Sequence, residues 1–248
     1  FQPTDRATPA VDVAPARTPP ARTADFDGLR LGQKDGGPDG PVTRLQRLLH
    51  RWNPRLDLPV DGHYGDETSR AVLLYKSVYG TGADGRRVDG KTAALVASME
   101  DGSFWRDPPA KSAAGRLLYT ASQQLGKPYR MGGDGAISTD CGMLTRDAMR
   151  RAGLADASFS RLADAQYRYA ESGQRGMALT PEPKAGDLVF FNHPTHQSTQ
   201  AYRGITHVGI YVADGYMLAA SSARGRVVMQ RVDCLLYTSD AADDTPCV

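Results

Sequence analysis

The chain has 248 residues, room for two small domains, and its 30 basic against 28 acidic side chains leave a formal charge of +2, too slight to argue for a nucleic-acid partner. No run approaches the roughly 18 consecutive apolar residues that cross a bilayer, so no membrane-spanning segment is expected. The chain begins at Phe1, which suggests a processed or incomplete N-terminus, and no signal peptide is visible.

Residues 1–27 are rich in Pro, Ala, Thr and Arg, the composition of an extended, disordered linker. A helical pattern then fills residues 28–100. Pro41 sits where a first helical residue belongs, and Val42, Leu45, Leu48, Leu49 and Trp52 form an apolar stripe behind it. A second helix follows Asp66, with Ala71, Val72, Tyr75 and Val78 at helical spacing, and a third starts near Lys91 with Leu95 and Val96 turned inward. Val60-Asp61-Gly62 is echoed by Val88-Asp89-Gly90, each Asp-Gly making a tight turn that feeds a helix. Together with Leu45-Gln46 and Tyr64-Gly65, these motifs resemble the small three-helix peptidoglycan-binding domain of many cell-wall hydrolases. The resemblance implies peptidoglycan as a partner. The plainer alternative is that the residues only build a bundle, since a fold alone does not give a function. His50 and His63 are expected to face solvent.

Residues 101–112, with Pro108-Pro109 among them, are expected to be a second linker leading to a larger unit over residues 113–233. There Cys141 follows the short polar Asp140, and Leu144, Ala148 and Ala152 share one helical face before Gly153. That pattern puts a thiol in the first turn of a helix, where exposed N–H groups and the dipole favour thiolate. Residues 205–212 alternate as a strand, with Val208, Ile210 and Val212 on one face and His207, Gly209 and Tyr211 on the other. A histidine beside a small glycine has room to face a cleft, so Cys141 and His207 are a candidate nucleophile and base.

Six blocks occur in order: Gly126-Lys127-Pro128-Tyr129, Gly132-Gly133, Asp140-Cys141, Arg161 with Gln166, Gly186-Asp187-Leu188-Val189-Phe190-Phe191, and His207-Val208-Gly209-Ile210-Tyr211. They resemble the NlpC/P60 family of papain-like cell-wall cysteine peptidases. The resemblance implies an α+β fold, with a nucleophile at a helix N-terminus packed on an antiparallel sheet and the small all-α domain preceding it. It implies a Cys-His endopeptidase acting on peptidoglycan stem peptides, most often at the D-glutamyl-diamino acid bond, with no cofactor. By position, Cys141 is the nucleophile, His207 the base, and Tyr129 and Asp140 line the substrate site. A monomer that is secreted, periplasmic or wall-associated is expected.

The pattern also departs from the family. Members usually carry a third polar residue one strand beyond the histidine, and here that place is Ala219. The Asp214-Gly215 turn is a strong hairpin signal. With a plain two-residue turn Leu218, Ala220 and Ser222 share the face of His207; with a one-residue bulge Met217, Ala219 and Ser221 do. Neither set holds a carboxylate, amide or imidazole, so a catalytically impaired wall binder stays open, as does an amidase or acyltransferase on the same fold. Met131, Gly142 and Ala163 stand where an aromatic, a serine and a hydroxyl residue are usual.

His193 and His196 bracket Pro194-Thr195, a loop spacing without further ligands, so no metal site is expected. Residues 234–248 resemble the in-frame translation of a sequencing-library adaptor. Read as a non-native tail, they leave one cysteine of three and imply a catalytic unit cut short near Val232, with an unpaired sheet edge.

Overall fold

The computed structural model describes residues 23–108, 111–192 and 201–233. Helices come first. A single turn, α1 (Thr23–Phe26), precedes α2 (Pro41–Trp52), α3 (Asp66–Tyr79) and α4 (Gly90–Glu100), then a second short turn α5 (Ser103–Arg106). Helices α6 (Ala113–Ser122), α7 (Cys141–Arg151) and α8 (Ala163–Glu171) lead into four strands, β1 (Leu188–Phe191), β2 (His207–Ala213), β3 (Tyr216–Ser221) and β4 (Arg226–Arg231). The strands form one antiparallel sheet in chain order, so the fold is α+β as expected.

The three helices read from the first half start within a residue of the predicted positions, because each start is chemically marked. Pro41 opens α2, and the Asp89 side chain caps α4 by accepting the Thr92 N–H. Gln46, fully buried, accepts from the N–H groups of Asp61 and Gly62 and donates to Thr68, which fixes the turn ahead of α3. Helices α1 and α8 carry no comparable signal, whereas the Ser112 hydroxyl caps α6 by accepting the Gly115 N–H at 3.0 Å. His50 and His63 are half-buried rather than solvent-facing, since the His63 carbonyl is held by Gln46 within that turn.

Both linker boundaries move. The last residues of the 1–27 segment fold as α1, and Phe26 is fully buried in the core. Residues 1–22 lie outside the described residues. Within the 101–112 segment α5 is docked: Phe104 packs edge-on against Tyr79 at 5.6 Å, the Trp105 indole donates to the Met99 carbonyl at 2.9 Å, and Arg51 lies over the Trp105 ring. The physical reason is aromatic content, since two adjacent large rings gain more by burial than a spacer gains by freedom.

The halves share one core. Trp52 stacks edge-on against Tyr75 at 5.1 Å and lies 5.8 Å from Tyr119 of α6. Asn53, fully buried, donates to the Ser122 hydroxyl at 3.0 Å. Gly115 lets α6 approach the end of α3 so closely that an added Cβ would overlap the Val78 carbonyl oxygen. On the other side of α6 and α7 lies the sheet, whose Val208, Ile210 and Val212 face is fully buried, as the alternation predicts.

Gly115→Val should therefore destabilise the whole molecule by about 1–3 kcal/mol. Urea denaturation followed by tryptophan fluorescence and by far-ultraviolet circular dichroism should give one shared transition at a lower midpoint. Two separated transitions, or an unmoved midpoint, would contradict a common core.

Candidate active site

Cys141 is the first residue of α7 and Asp140 is its N-cap, with extended backbone and one carboxylate oxygen accepting the Met143 N–H at 2.8 Å. The second oxygen accepts the Gly132 N–H at 2.9 Å and pairs with Arg161 at 2.6 Å. The same Arg161 nitrogen donates to the Gly133 carbonyl at 3.1 Å. One buried carboxylate thus ties the glycine loop, the Cys141 helix and the approach to α8 together. Gln166 adds a second tie, donating to the carbonyls of Gly142 and Ser160 at 2.9 Å each and accepting the Thr145 hydroxyl at 2.7 Å. A side chain at Gly142 would overlap the Arg161 carbonyl oxygen, so the serine usual after the nucleophile has no room here.

The predicted base lies on the facing strand. His207 opens β2 opposite Phe191, their rings 6.0 Å apart. The backbone N–H of Val208, the next residue, is directed at the Cys141 sulfur. The start of β2 therefore lies beside the start of α7. Tyr129 reaches the same place through a short bridge to Thr139. Burial pushes its phenol up, and the neighbouring Cys141 and Asp140 add to that shift.

Cys141 is a half-buried free thiol. Burial pushes its pKa up, the Val208 N–H pulls it down, the charge of Asp140 pushes it up, and the N–H groups of Gly142 and Cys141 pull it down. Burial is the largest of these and the net direction is upward, against the lowering expected from the helix start alone. The helix N–H groups act in the predicted direction, but desolvation and the capping carboxylate outweigh them.

The hairpin resolves the choice of register. Asp214 and Gly215 both have positive φ, the two-residue turn that Asp-Gly favours, and the pairing shifts between Tyr211 and Ala213. The bulged register results, with Met217, Ala219 and Ser221 on the His207 face. Ala219 is fully buried against Phe191 and Met217, and the Met217 sulfur lies over Gly209. Ser221 is the polar side chain of β3 on that face, and its hydroxyl accepts the Arg224 N–H at 3.2 Å. His193 and His196 lie outside the described residues, and among those described no group of three His, Cys, Asp or Glu side chains could hold a metal.

Sequence reading named Arg161 and Gln166 without assigning either a task. Nothing local links them to residues about twenty positions earlier; only the fold shows Arg161 neutralising Asp140 and Gln166 bracing the first turn of α7.

Residues 126–241 match the NlpC/P60 family. The probable endopeptidase p60 of Listeria innocua is 36% identical over 108 residues, 42% of this chain and 19% of that protein. A γ-D-glutamyl-L-lysine dipeptidyl-peptidase of Bacillus cereus is 30% identical over 131 residues, 51% of this chain and 35% of that protein. The chain thus spans well under half the length of these curated relatives. The solved structure of the peptidoglycan hydrolase RipB from Mycobacterium tuberculosis aligns with a TM-score of 0.37 and 25% identity, covering 67% of this chain and 77% of that one. The chain carries an NlpC/P60 family domain.

Two outcomes follow from the site. Asp140→Ala leaves Arg161 uncompensated and the Met143 and Gly132 N–H groups unmet, and should cost about 3–5 kcal/mol of stability by denaturant titration; a loss below about 1 kcal/mol would show that the tie is dispensable. For Cys141, a raised pKa lowers the thiolate fraction at neutral pH, so the rate of alkylation by iodoacetamide should climb with pH past the ordinary thiol value of about 8.5. A plateau already present between about pH 5 and 7 would instead reveal a standing thiolate-imidazolium pair.

Proposed function

We propose that this chain is a cysteine endopeptidase of peptidoglycan, cutting stem peptides at the D-glutamyl-diamino acid bond with Cys141 as nucleophile and His207 as base. The observation that carries this reading is the meeting of the capped Cys141 helix start with the His207-Val208 end of β2 inside an NlpC/P60 domain. The name of the Bacillus cereus relative supports the choice of bond.

Burial pushes the Cys141 pKa up and so favours the thiol, and in this reading the base acts during attack. His207 takes the thiol proton as sulfur bonds to the amide carbon, and the Cys141 backbone N–H, free at the helix start, donates to the developing oxyanion. The carbon–nitrogen bond breaks and the imidazolium returns its proton to the leaving amine. Water, deprotonated by the same imidazole, then cleaves the thioester and restores the thiol. Tyr129 offers its hydroxyl to the bound stem. Asp140 is already paired with Arg161 and holds two N–H groups, so it shapes the pocket wall more than it attracts a free stem amine.

The helical unit is read as a peptidoglycan-binding module that presents the wall to this site, and a secreted, periplasmic or wall-associated location accords with that substrate. One observation favours a second reading: the third catalytic place is Ala219, buried in an apolar cluster. In the serine-protease triad, altering the group that orients the base slows turnover about 10⁴-fold, so a wall-binding relative with little or no turnover is the alternative.

Purified peptidoglycan incubated with the protein should release stem-peptide fragments, detected by mass spectrometry, and Cys141→Ala should abolish that release while leaving wall binding intact. Equal binding with no product from either protein would leave the wall-binding reading. Turnover of simple amides with stem peptides inert would point to an amidase or acyltransferase.

A further inference from the structure

We propose that the cleft between α3 and the outer edge of β4 binds an extended acidic peptide, laid against β4 as a fifth strand. The cleft is remote in role from Cys141. It encloses about 390 Å³, and neither Cys141 nor His207 lines it.

Three features specify the ligand. The first is a backbone template. Among the described residues, strand β4 is one edge of the sheet. Val227 turns both its backbone groups outward, donating to the Lys127 carbonyl at 2.8 Å and accepting the Gly126 N–H at 2.9 Å. Antiparallel alternation repeats that orientation at Met229 and Arg231, and among the described residues no backbone group pairs with these two on the outer side. An exposed row of this kind is what an added strand pairs with.

The second feature is an apolar floor. Leu56, Leu74 and Leu125 line the cleft and are themselves buried, so every second side chain of an added strand meets hydrocarbon. The third is charge. Arg55 and Arg70 face Arg224, Arg226 and Arg231 across the cleft, against the lining carboxylates Asp57 and Glu67 and, on Arg231, Asp233 at 3.0 Å. The two lining carboxylates are engaged only in surface pairs, Arg226 with Asp57 and Arg70 with Glu67, each at 3.2 Å. Such exposed pairs exchange readily for a ligand's carboxylates. The same charge disfavours a second copy of this chain, because pairing β4 with β4 would bring two arginine clusters together.

The test is fluorescence anisotropy on the full chain with three labelled octapeptides: alternating valine and glutamate, its lysine counterpart, and the all-D form of the acidic peptide. The L-acidic peptide should bind, and the other two at least about tenfold more weakly. Combined Arg55→Glu and Arg226→Glu should weaken binding at least about tenfold with an unchanged melting midpoint. Met229→Pro removes one outward N–H without touching the ladder to β3, and should also lose affinity for the L-peptide. Equal affinity for the L- and D-forms would overturn the strand geometry, and no binding of any peptide would overturn the site. Binding that emerges only after residues 234–248 are removed would make the chain's own tail the occupant, and overturn the partner.

Discussion

The geometry of the site depends on a single carboxylate. Asp140 caps the helix that starts at Cys141, holds the Gly132 N–H and neutralises Arg161. Each contact alone is an ordinary hydrogen bond or ion pair, but all three converge on a side chain that is nine-tenths buried, where a missing partner costs far more than a formed one contributes. The arrangement is therefore cooperative. The glycine loop before Cys141, the first turn of α7 and the segment entering α8 are fixed by one another, and Gln166 closes the same circuit from behind.

That rigidity continues beyond the domain. The ring cluster of Trp52, Tyr75, Tyr79 and Tyr119 bridges the helical unit and α6, and Asn53 joins them through a buried hydrogen bond to Ser122. Tethering by a loose linker raises effective concentration, whereas a shared core fixes direction as well. A wall-binding surface on the helical unit would then hold its ligand at a set orientation to Cys141, with the charged cleft lying along the seam.

Legibility in the sequence followed the locality of the signal. Asp89 and Asp140 announce helix starts through contacts within three residues and Pro41 through its fixed φ, so α2, α4 and α7 could be read directly, and the period-two run from His207 fixed which strand face is buried. The bulge in the β2–β3 hairpin was foreseeable only as one of two options, because the turn residues permit both and packing of Ala219 against Phe191 decides. The docking of Phe104 and the pairing of Arg161 with Asp140 were not legible, since each depends on a partner far away in sequence. The upward push on the Cys141 pKa was not legible for a related reason. A helix start is visible in sequence, but the depth at which it is buried is not.

The half-buried thiol and the apolar β3 neighbours of His207 bear on each other. A standing thiolate beside a helix start needs a base only for later proton transfers, whereas a resting thiol needs the imidazole correctly oriented at the moment of attack. On the β3 side that orientation rests on packing, with Phe191 opposite the ring, Met217 over Gly209 and Ala219 filling the usual polar place. Packing can fix a ring plane, but it does not choose which nitrogen carries the proton. On the reading that Cys141 attacks and His207 is its base, the β3 neighbours of the imidazole contribute packing more than polar guidance, so the rate of the first proton transfer is the step on which that reading is most exposed.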